Sequence, residues 1–371
     1  MPENFNKFDL SNKTVEKRKK ILLCPLDWGL GHASRDIPII YLLKDNNFDI
    51  HIAGSLKILN FLKKEVSDAK FIEFRNYKVK YSRQNSQVIN MFFLIPKIVY
   101  WTIKEHFLLK SLIKKYDIDI VISDNRFGLW NKKVISIFIT HQLKVIFPKR
   151  YRKLEFIYEF LLRFIINKYD DCWIPDYEGV DNLSGSLSHF AKMLDNIKYI
   201  GLLSRFSRLK EDLSEPKIYD LLFVLSGPEP QRSLFEEIIY KQIENSNLEI
   251  AIVRGTTEKS ILSYSVQKFD LLNTRELNQL INISDVVICR SGYSSVMDLI
   301  VKKKKAILVP TPGQTEQEYL AEYLFQKGIF EFSTQENFKL NNINISEINQ
   351  PNFRIEKNEE LLLRAISGLK K

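Results

Sequence analysis

At 371 residues the chain is too long for one ordinary core and suits two domains of middling size. A hydrophobic share of 45% excludes a mainly disordered chain, and the longest apolar stretch, 88–103, is broken by Pro96 and Lys97, short of the roughly 18 residues a spanning helix needs. The formal net charge of +10 favours anionic partners, namely phosphate-bearing substrates or anionic lipid. No zinc-finger, RNA-recognition or helix-turn-helix pattern appears, so nucleic acid is not an expected partner.

Residues 1–20 are a polar tail ending in Glu16-Lys17-Arg18-Lys19-Lys20, without the apolar core of a secretory signal. The expectation is a cytoplasmic protein that can bind the inner face of a membrane. Short apolar runs then alternate with helical patterns. Strands are expected at 21–24, 48–53, 70–74, 118–123, 134–140 and 172–174. Helices are expected at 34–44, 56–65, 87–116 and 153–167. The stretch 204–217 is charged and reads as a linker. Beyond it the rhythm restarts, with strands at 219–225, 248–253, 285–289 and 306–309 between helices at 233–244, 275–283, 294–302 and 316–326. This predicts two α/β domains, 21–203 and 218–371, each a doubly wound parallel sheet, facing each other across a cleft. Cys24, Cys172 and Cys289 lie far apart in apolar runs and read as buried free thiols. The few histidines are scattered, so no metal site is expected.

Three loops carry candidate chemistry. The first, Pro25-Leu26-Asp27-Trp28-Gly29-Leu30-Gly31-His32, follows the first strand. Gly29 and Gly31 permit a tight turn and close approach of a ligand, and His32 can take a proton near neutral pH. The spacing lacks the third glycine of a dinucleotide fingerprint. A helix-capping role for His32 is the plain alternative. The second loop, Leu225-Ser226-Gly227-Pro228-Glu229-Pro230, precedes a helix and offers an anion-ready N-terminus without a Walker lysine. In the third, Arg290-Ser291-Gly292 turns the chain and Ser294 and Ser295 open a helix. Asp298 lies one turn on, where a carboxylate can accept from ribose hydroxyls. Gln317 and Glu318 then open the next helix towards the same cleft.

The stretch 285–330 resembles the C-terminal nucleotide-sugar domain of glycosyltransferase family 28, which includes a bacterial transferase of N-acetylglucosamine to a lipid-linked precursor. The resemblance is looser at 29–32, 140–142, 201–205 and 225–232. It implies a GT-B fold with a donor in the C-terminal domain and a hydroxyl acceptor in the N-terminal one. The donor it implies is a nucleoside diphosphate sugar, UDP-linked and of the UDP-N-acetylglucosamine type. The acceptor it implies is lipid-linked or a cell-envelope glycan. On this resemblance His32 is the base or an acceptor-binding group; Asp124, at the end of another N-domain strand, is its competitor as the base. Gly29, Gly31, His141 and Gln142 line the acceptor side. Arg205 meets the nucleotide phosphate, Ser226, Gly227, Arg290, Ser294, Ser295 and Asp298 hold phosphate and ribose, and Gln317 and Glu318 touch the sugar. Transfer would be inverting, with no metal or other cofactor. The chain departs from the family where Ser226-Gly227-Pro228 replaces a richer glycine loop, where Glu318 replaces a glutamine, and where Lys144 replaces an asparagine. Two rival readings share the architecture: a catalytically dead sugar-nucleotide or lipid-binding subunit that recruits a partner, and a non-hydrolysing UDP-sugar 2-epimerase. The aromatic and basic stretches 91–115 and 149–166 suggest docking on an anionic membrane surface.

Overall fold

The computed structural model describes residues 18–74, 87–147, 151–190, 192–209, 215–244, 246–256 and 266–370, with 87–95 described by backbone alone. The N-terminal part runs β1 (Lys20–Cys24), α1 (Leu30–Asp45), β2 (Asp49–Gly54), α2 (Leu56–Glu65), β3 (Lys70–Glu73), α3 (Gln87–Tyr116), β4 (Ile120–Asp124), β5 (Ile135–Ile139), α4 (Lys153–Ile166), β6 (Asp171–Ile174) and β7 (Ile197–Tyr199). Its strands form one parallel sheet in the order β3-β2-β1-β4-β5-β6-β7. β1 and β4 are buried along nearly their whole length, as expected for strands covered on both faces.

The C-terminal part runs β8 (Tyr219–Val224), α5 (Gln231–Ile243), β9 (Ile250–Val253), β10 (Gln267–Phe269), α6 (Thr274–Asn282), β11 (Ser284–Cys289), α7 (Tyr293–Val301), β12 (Ala306–Leu308), α8 (Thr315–Gln326), β13 (Glu331–Phe332) and α9 (Asn358–Ser367). Its parallel sheet has the order β10-β9-β8-β11-β12-β13. In each sheet the order reverses beside the first strand, between β1 and β4 and between β8 and β11. Ligand crevices open at such points, outside the carboxyl ends of the strands.

The two parts are packed together. Leu202, Leu203 and Phe206 are buried in a core that also holds Met297 and Ile300 of α7. The Leu203 N–H points at the Met297 sulfur at 3.3 Å. The last helix returns to the N-terminal part, which chain order alone does not show. Asn358 Nδ2 donates to Leu202 O at 2.7 Å, and Lys19 Nζ donates to Leu369 O at 3.0 Å. Gly201 has φ +73°, in the left-handed region, and a Cβ there would collide with Asn358. The three cysteines are free and buried, and burial pushes the Cys24 and Cys289 thiols up to about 12, which makes them inert.

Candidate active site

α1 begins at Leu30, four residues before the expected start, so Gly31 and His32 sit in its first turn. Ser34, where the helix was expected to start, lies inside it, and its hydroxyl donates to Gly31 O at 3.1 Å. This places the His32 ring beside the end of β4. His32 Nδ1 lies 2.8 Å from Asp124 Oδ2. With a carboxylate there, Nδ1 carries the proton and Nε2 is left as the basic nitrogen. Burial pushes the His32 pKa down, against the pull of Asp124, so the ring is neutral at pH 7 and ready to accept a proton.

Asp124 is fully buried and cannot meet a substrate. Arg35, one turn along α1, donates from Nε to Asp124 Oδ2 at 3.0 Å and from a second nitrogen to Oδ1. Burial alone would raise the Asp124 carboxyl, but Arg35 and His32 hold it down at about 2. Asp124 is therefore the group that orients His32, and the expectation that it competes as the base is not met by its position. The neighbouring Asp36 carboxyl is buried with neither oxygen hydrogen-bonded among the described residues, and burial raises its pKa well above the usual range, which favours its neutral form.

The third nitrogen of Arg35 donates to His141 Nδ1 at 2.9 Å. His141 follows β5, and with Nδ1 accepting, its proton is on Nε2. That nitrogen donates to Glu316 Oε1, at 2.7 Å, in the first turn of α8. The His141 ring also stacks on Tyr293, at 4.5 Å and 6°. A second bond crosses the cleft nearby: Ser294 Oγ donates to Gly31 O at 3.0 Å.

On the C-terminal side, α5, α7 and α8 follow β8, β11 and β12, three adjacent strands, so three helix N-termini lie at the carboxyl end of one sheet, and at α5 the Arg232 and Ser233 N–H groups already donate to Pro228 O and Glu229 Oε2. Gly227, in the turn before α5, has φ +101° and open space around it, which favours glycine and leaves backbone accessible.

Residues 221–363 match the family model described as glycosyltransferase family 28 C-terminal domain. That segment, under half of the chain, is similar to the C-terminal domain of family 28 glycosyltransferases. Among curated proteins no sequence match was found. Solved structures with the same fold include a glycotransferase of kitacinnamycin, 13% identical with a TM-score of 0.61 over 95% of this chain and 94% of that one. UGT89C1 from Arabidopsis thaliana, solved with quercetin, is 12% identical with a TM-score of 0.58 over 96% and 90%. The spinosyn rhamnosyltransferase SpnG, solved with thymidine diphosphate, is 10% identical with a TM-score of 0.56 over 94% and 95%. The fold is GT-B, two parallel-sheet domains with the crevice between them.

Within the matched segment, several expected ligand residues have other partners. Asp298 accepts from Ser204 Oγ at 2.6 Å and from Arg205 Nε at 3.3 Å, because the segment after β7 packs over α7. Both oxygens thus face the chain rather than open space, and Arg205 is paired with Asp298. Burial raises the Asp298 pKa, with Arg205 opposing. Arg290 is buried and spent on carbonyls: it donates to Val309 O, Pro310 O and Gln231 O at 3.0–3.1 Å and to Gln335 Oε1 at 2.6 Å. It ties the end of β12 to the start of α5 and does not reach the cleft. Burial lowers its pKa to about 10, so it remains charged at pH 7. Gln317 Oε1 accepts from Thr311 N at 2.9 Å and Glu318 Oε1 from Gly313 N at 2.8 Å, so both close the turn before α8.

Ser226 and Ser295 are half-buried at the mouths of α5 and α7. Gln142 N donates to Thr140 Oγ1 at 3.0 Å, which shapes the loop carrying His141. Gly29 has φ 168°, extended backbone that any residue adopts, with open space beside it. Gly31 lies at the domain contact, where a Cβ would come 3.3 Å from Ser294 Oγ. The sequence reading missed Arg35 and Glu316. A histidine in the loop after a strand and an acid at a helix start are the local signals of the pair His141–Glu316, whose members lie 175 residues apart. Among the described residues no group of three or more metal-ligating side chains converges.

Proposed function

We propose that the protein is an inverting glycosyltransferase that works without a metal. It would move a sugar from a UDP-linked donor of the UDP-N-acetylglucosamine type to a hydroxyl of an acceptor held by residues 21–203. The observation that carries this reading is the His32–Asp124 pair placed one hydrogen bond, Ser294 to Gly31, from the first turn of α7 in the segment similar to family 28. His32 Nε2 takes the acceptor proton as the oxygen attacks the anomeric carbon. The departing diphosphate is met by the N-termini of α5 and α7, with the buried Arg290 cation behind them. A 2-epimerase wants paired carboxylates in the cleft, whereas Asp124 is sealed behind Arg35 and His32. The direct test is the anomeric configuration of the product formed from a UDP-sugar of known configuration. Inversion supports single displacement, and retention rules it out.

In the same reading Asp298 shapes the ribose site, either by accepting from the ribose once Arg205 turns to the phosphates or by holding the 204–206 segment in place. Asp298→Ala should weaken UDP binding at least about tenfold, or 1.4 kcal/mol, by calorimetry. Unchanged affinity would remove Asp298 from the donor site.

The acceptor is lipid-linked in this proposal, and the N-terminal domain meets it at an anionic membrane. No helix among the described residues is long and apolar enough to cross a membrane. Yet Phe156, Phe160 and Phe164, spaced four apart on α4, are exposed, the first by 76%, as are Tyr100, Ile103 and Phe107 on α3. The two helices are bridged by aromatic and basic groups: His106 packs on Trp130 at 4.4 Å, and Lys168 Nζ lies 5.9 Å over Trp130 and 4.4 Å over Phe164. Lys104 and Lys110 lie over Trp101 and Phe107. The side chains of 91–95, with Lys149 and Arg150, which also belong to this expectation, lie outside the described residues. Aromatic faces edged with lysine suit an interfacial helix, and each basic group near an anionic leaflet adds about 1 kcal/mol. Flotation should recover the protein with anionic vesicles but not neutral ones, and high salt should release it. Failure to float with anionic vesicles at low salt would leave a soluble acceptor as the better assignment.

A further inference from the structure

His32 belongs to the N-terminal domain, yet the chain of side chains behind it ends in the other domain. From His32 the order is Asp124, Arg35, His141 and Glu316, with contacts of 2.8 Å at the His32 end and 2.7 Å at the Glu316 end. Asp124 comes from β4, Arg35 and Asp36 from α1, His141 from the loop after β5 and Glu316 from α8, with burial favouring the neutral form of Asp36. Without Glu316, Asp124 and Arg35 cancel, and a proton arriving on His32 gains little from the cluster. With Glu316 in contact, two carboxylates face one guanidinium, and the excess negative charge favours the imidazolium that forms as the acceptor loses its proton. We propose that Glu316 is a positioning residue donated across the cleft, which makes His32 an effective base only when the two domains are closed. This rests on the transferase reading for the identity of the reaction, but the charge link itself does not.

The surroundings agree with such a role. Glu316 is partly open to the cleft, with its side chain 22% exposed, while Asp124 and Arg35 are sealed. Both His141 nitrogens are engaged and its ring is held against Tyr293, whose hydroxyl donates to Pro175 O at 2.9 Å. His141 is therefore fixed by groups from both domains. Burial alone would raise the Glu316 carboxyl, but His141, His32 and Arg35 together hold it below its ordinary range, so Glu316 lies within electrostatic reach of the His32 end of the chain.

The test separates charge from docking. Glu316→Gln keeps an oxygen to accept from His141 Nε2 and removes only the charge. Tyr319→Phe, on the same helix, removes a different cross-domain contact, the hydroxyl that meets Ser186 N and Oγ at 2.8 and 3.0 Å. The His32 titration is followed in the full chain by NMR of labelled histidine, with His32→Gln to assign the signal. Glu316→Gln should lower the His32 pKa by about half a unit or more. The acid limb of kcat/KM should move down with it, and the plateau rate should fall several-fold. Tyr319→Phe should leave the His32 titration in place. An unmoved titration in Glu316→Gln, or an equal shift in Tyr319→Phe, would overturn the proposal. A shift in Glu316→Gln alone, in a protein that transfers no sugar from any donor tried, would uphold the charge link and sink the transferase reading.

Discussion

His32→Ala is expected to lower turnover by about 10²–10⁴-fold, the usual contribution of a positioned general base, with nucleotide affinity nearly unchanged. The reason is position: His32 is held by β4 and α1 of the N-terminal domain, whereas the donor elements α5, α7 and α8 belong to the other. Asp124→Asn should cost comparably, because an amide in that place no longer demands the proton on Nδ1 and the basic nitrogen is lost from the cleft. Steady-state kinetics at saturating donor decides the matter. Normal turnover with lost donor binding would move His32 to the nucleotide site.

The largest effect on stability is expected at Arg35. Arg35→Met removes the cation from a pair in which Asp124 is fully buried. Breaking such a pair while its partner stays buried costs about 3–5 kcal/mol, a large part of the stability of a typical domain. The pH dependence follows from Asp124, whose carboxyl is held below its ordinary value of 3.8, at about 2. A depressed carboxylate contributes stability above its unfolded pKa and loses it as pH falls through the folded one. The unfolded chain is common to both proteins, and without Arg35 burial raises the Asp124 carboxyl, so the gap between wild type and Arg35→Met should be full only above that raised value and narrow as pH falls from there towards about 2. Denaturant unfolding at several pH values measures it. A gap below about 1 kcal/mol at pH 7 would mean that the pair is solvated and that Arg35 does not secure the base.

The strand–helix alternation was readable because buried parallel strands are short apolar runs, and β1, β4, β8 and β11 fall where those runs lie. The edge strands β7, β10 and β13 were not, since two or three residues with an exposed face carry no such run. The start of α1 was placed at Ser34, four residues late, because the glycines before it read as a turn, whereas Gly31 is helical and Ser34 bonds backward inside the helix. At the site, His32 and Asp124 were legible separately, one at the end of a glycine-bearing loop and the other at the end of a strand run. Their pairing was not, because the contact spans 92 residues. Arg35 sits in Ala33-Ser34-Arg35-Asp36, where no local pattern tells a buried guanidinium from a solvated one. Asp298, Gln317 and Glu318 were found as polar groups at helix starts. Sequence cannot show that their oxygens are already occupied by Ser204, Arg205, Thr311 and Gly313.

The central claim is that the crevice between the sheets binds a nucleoside diphosphate sugar beside His32. Calorimetric titration of the full chain with UDP, GDP and dTDP tests it most directly. The account predicts one-site binding with UDP the tightest, and at about 100 times its dissociation constant UDP should stabilise the fold by about 2.7 kcal/mol. Millimolar concentrations of all three nucleotides that give neither heat nor stabilisation would contradict it.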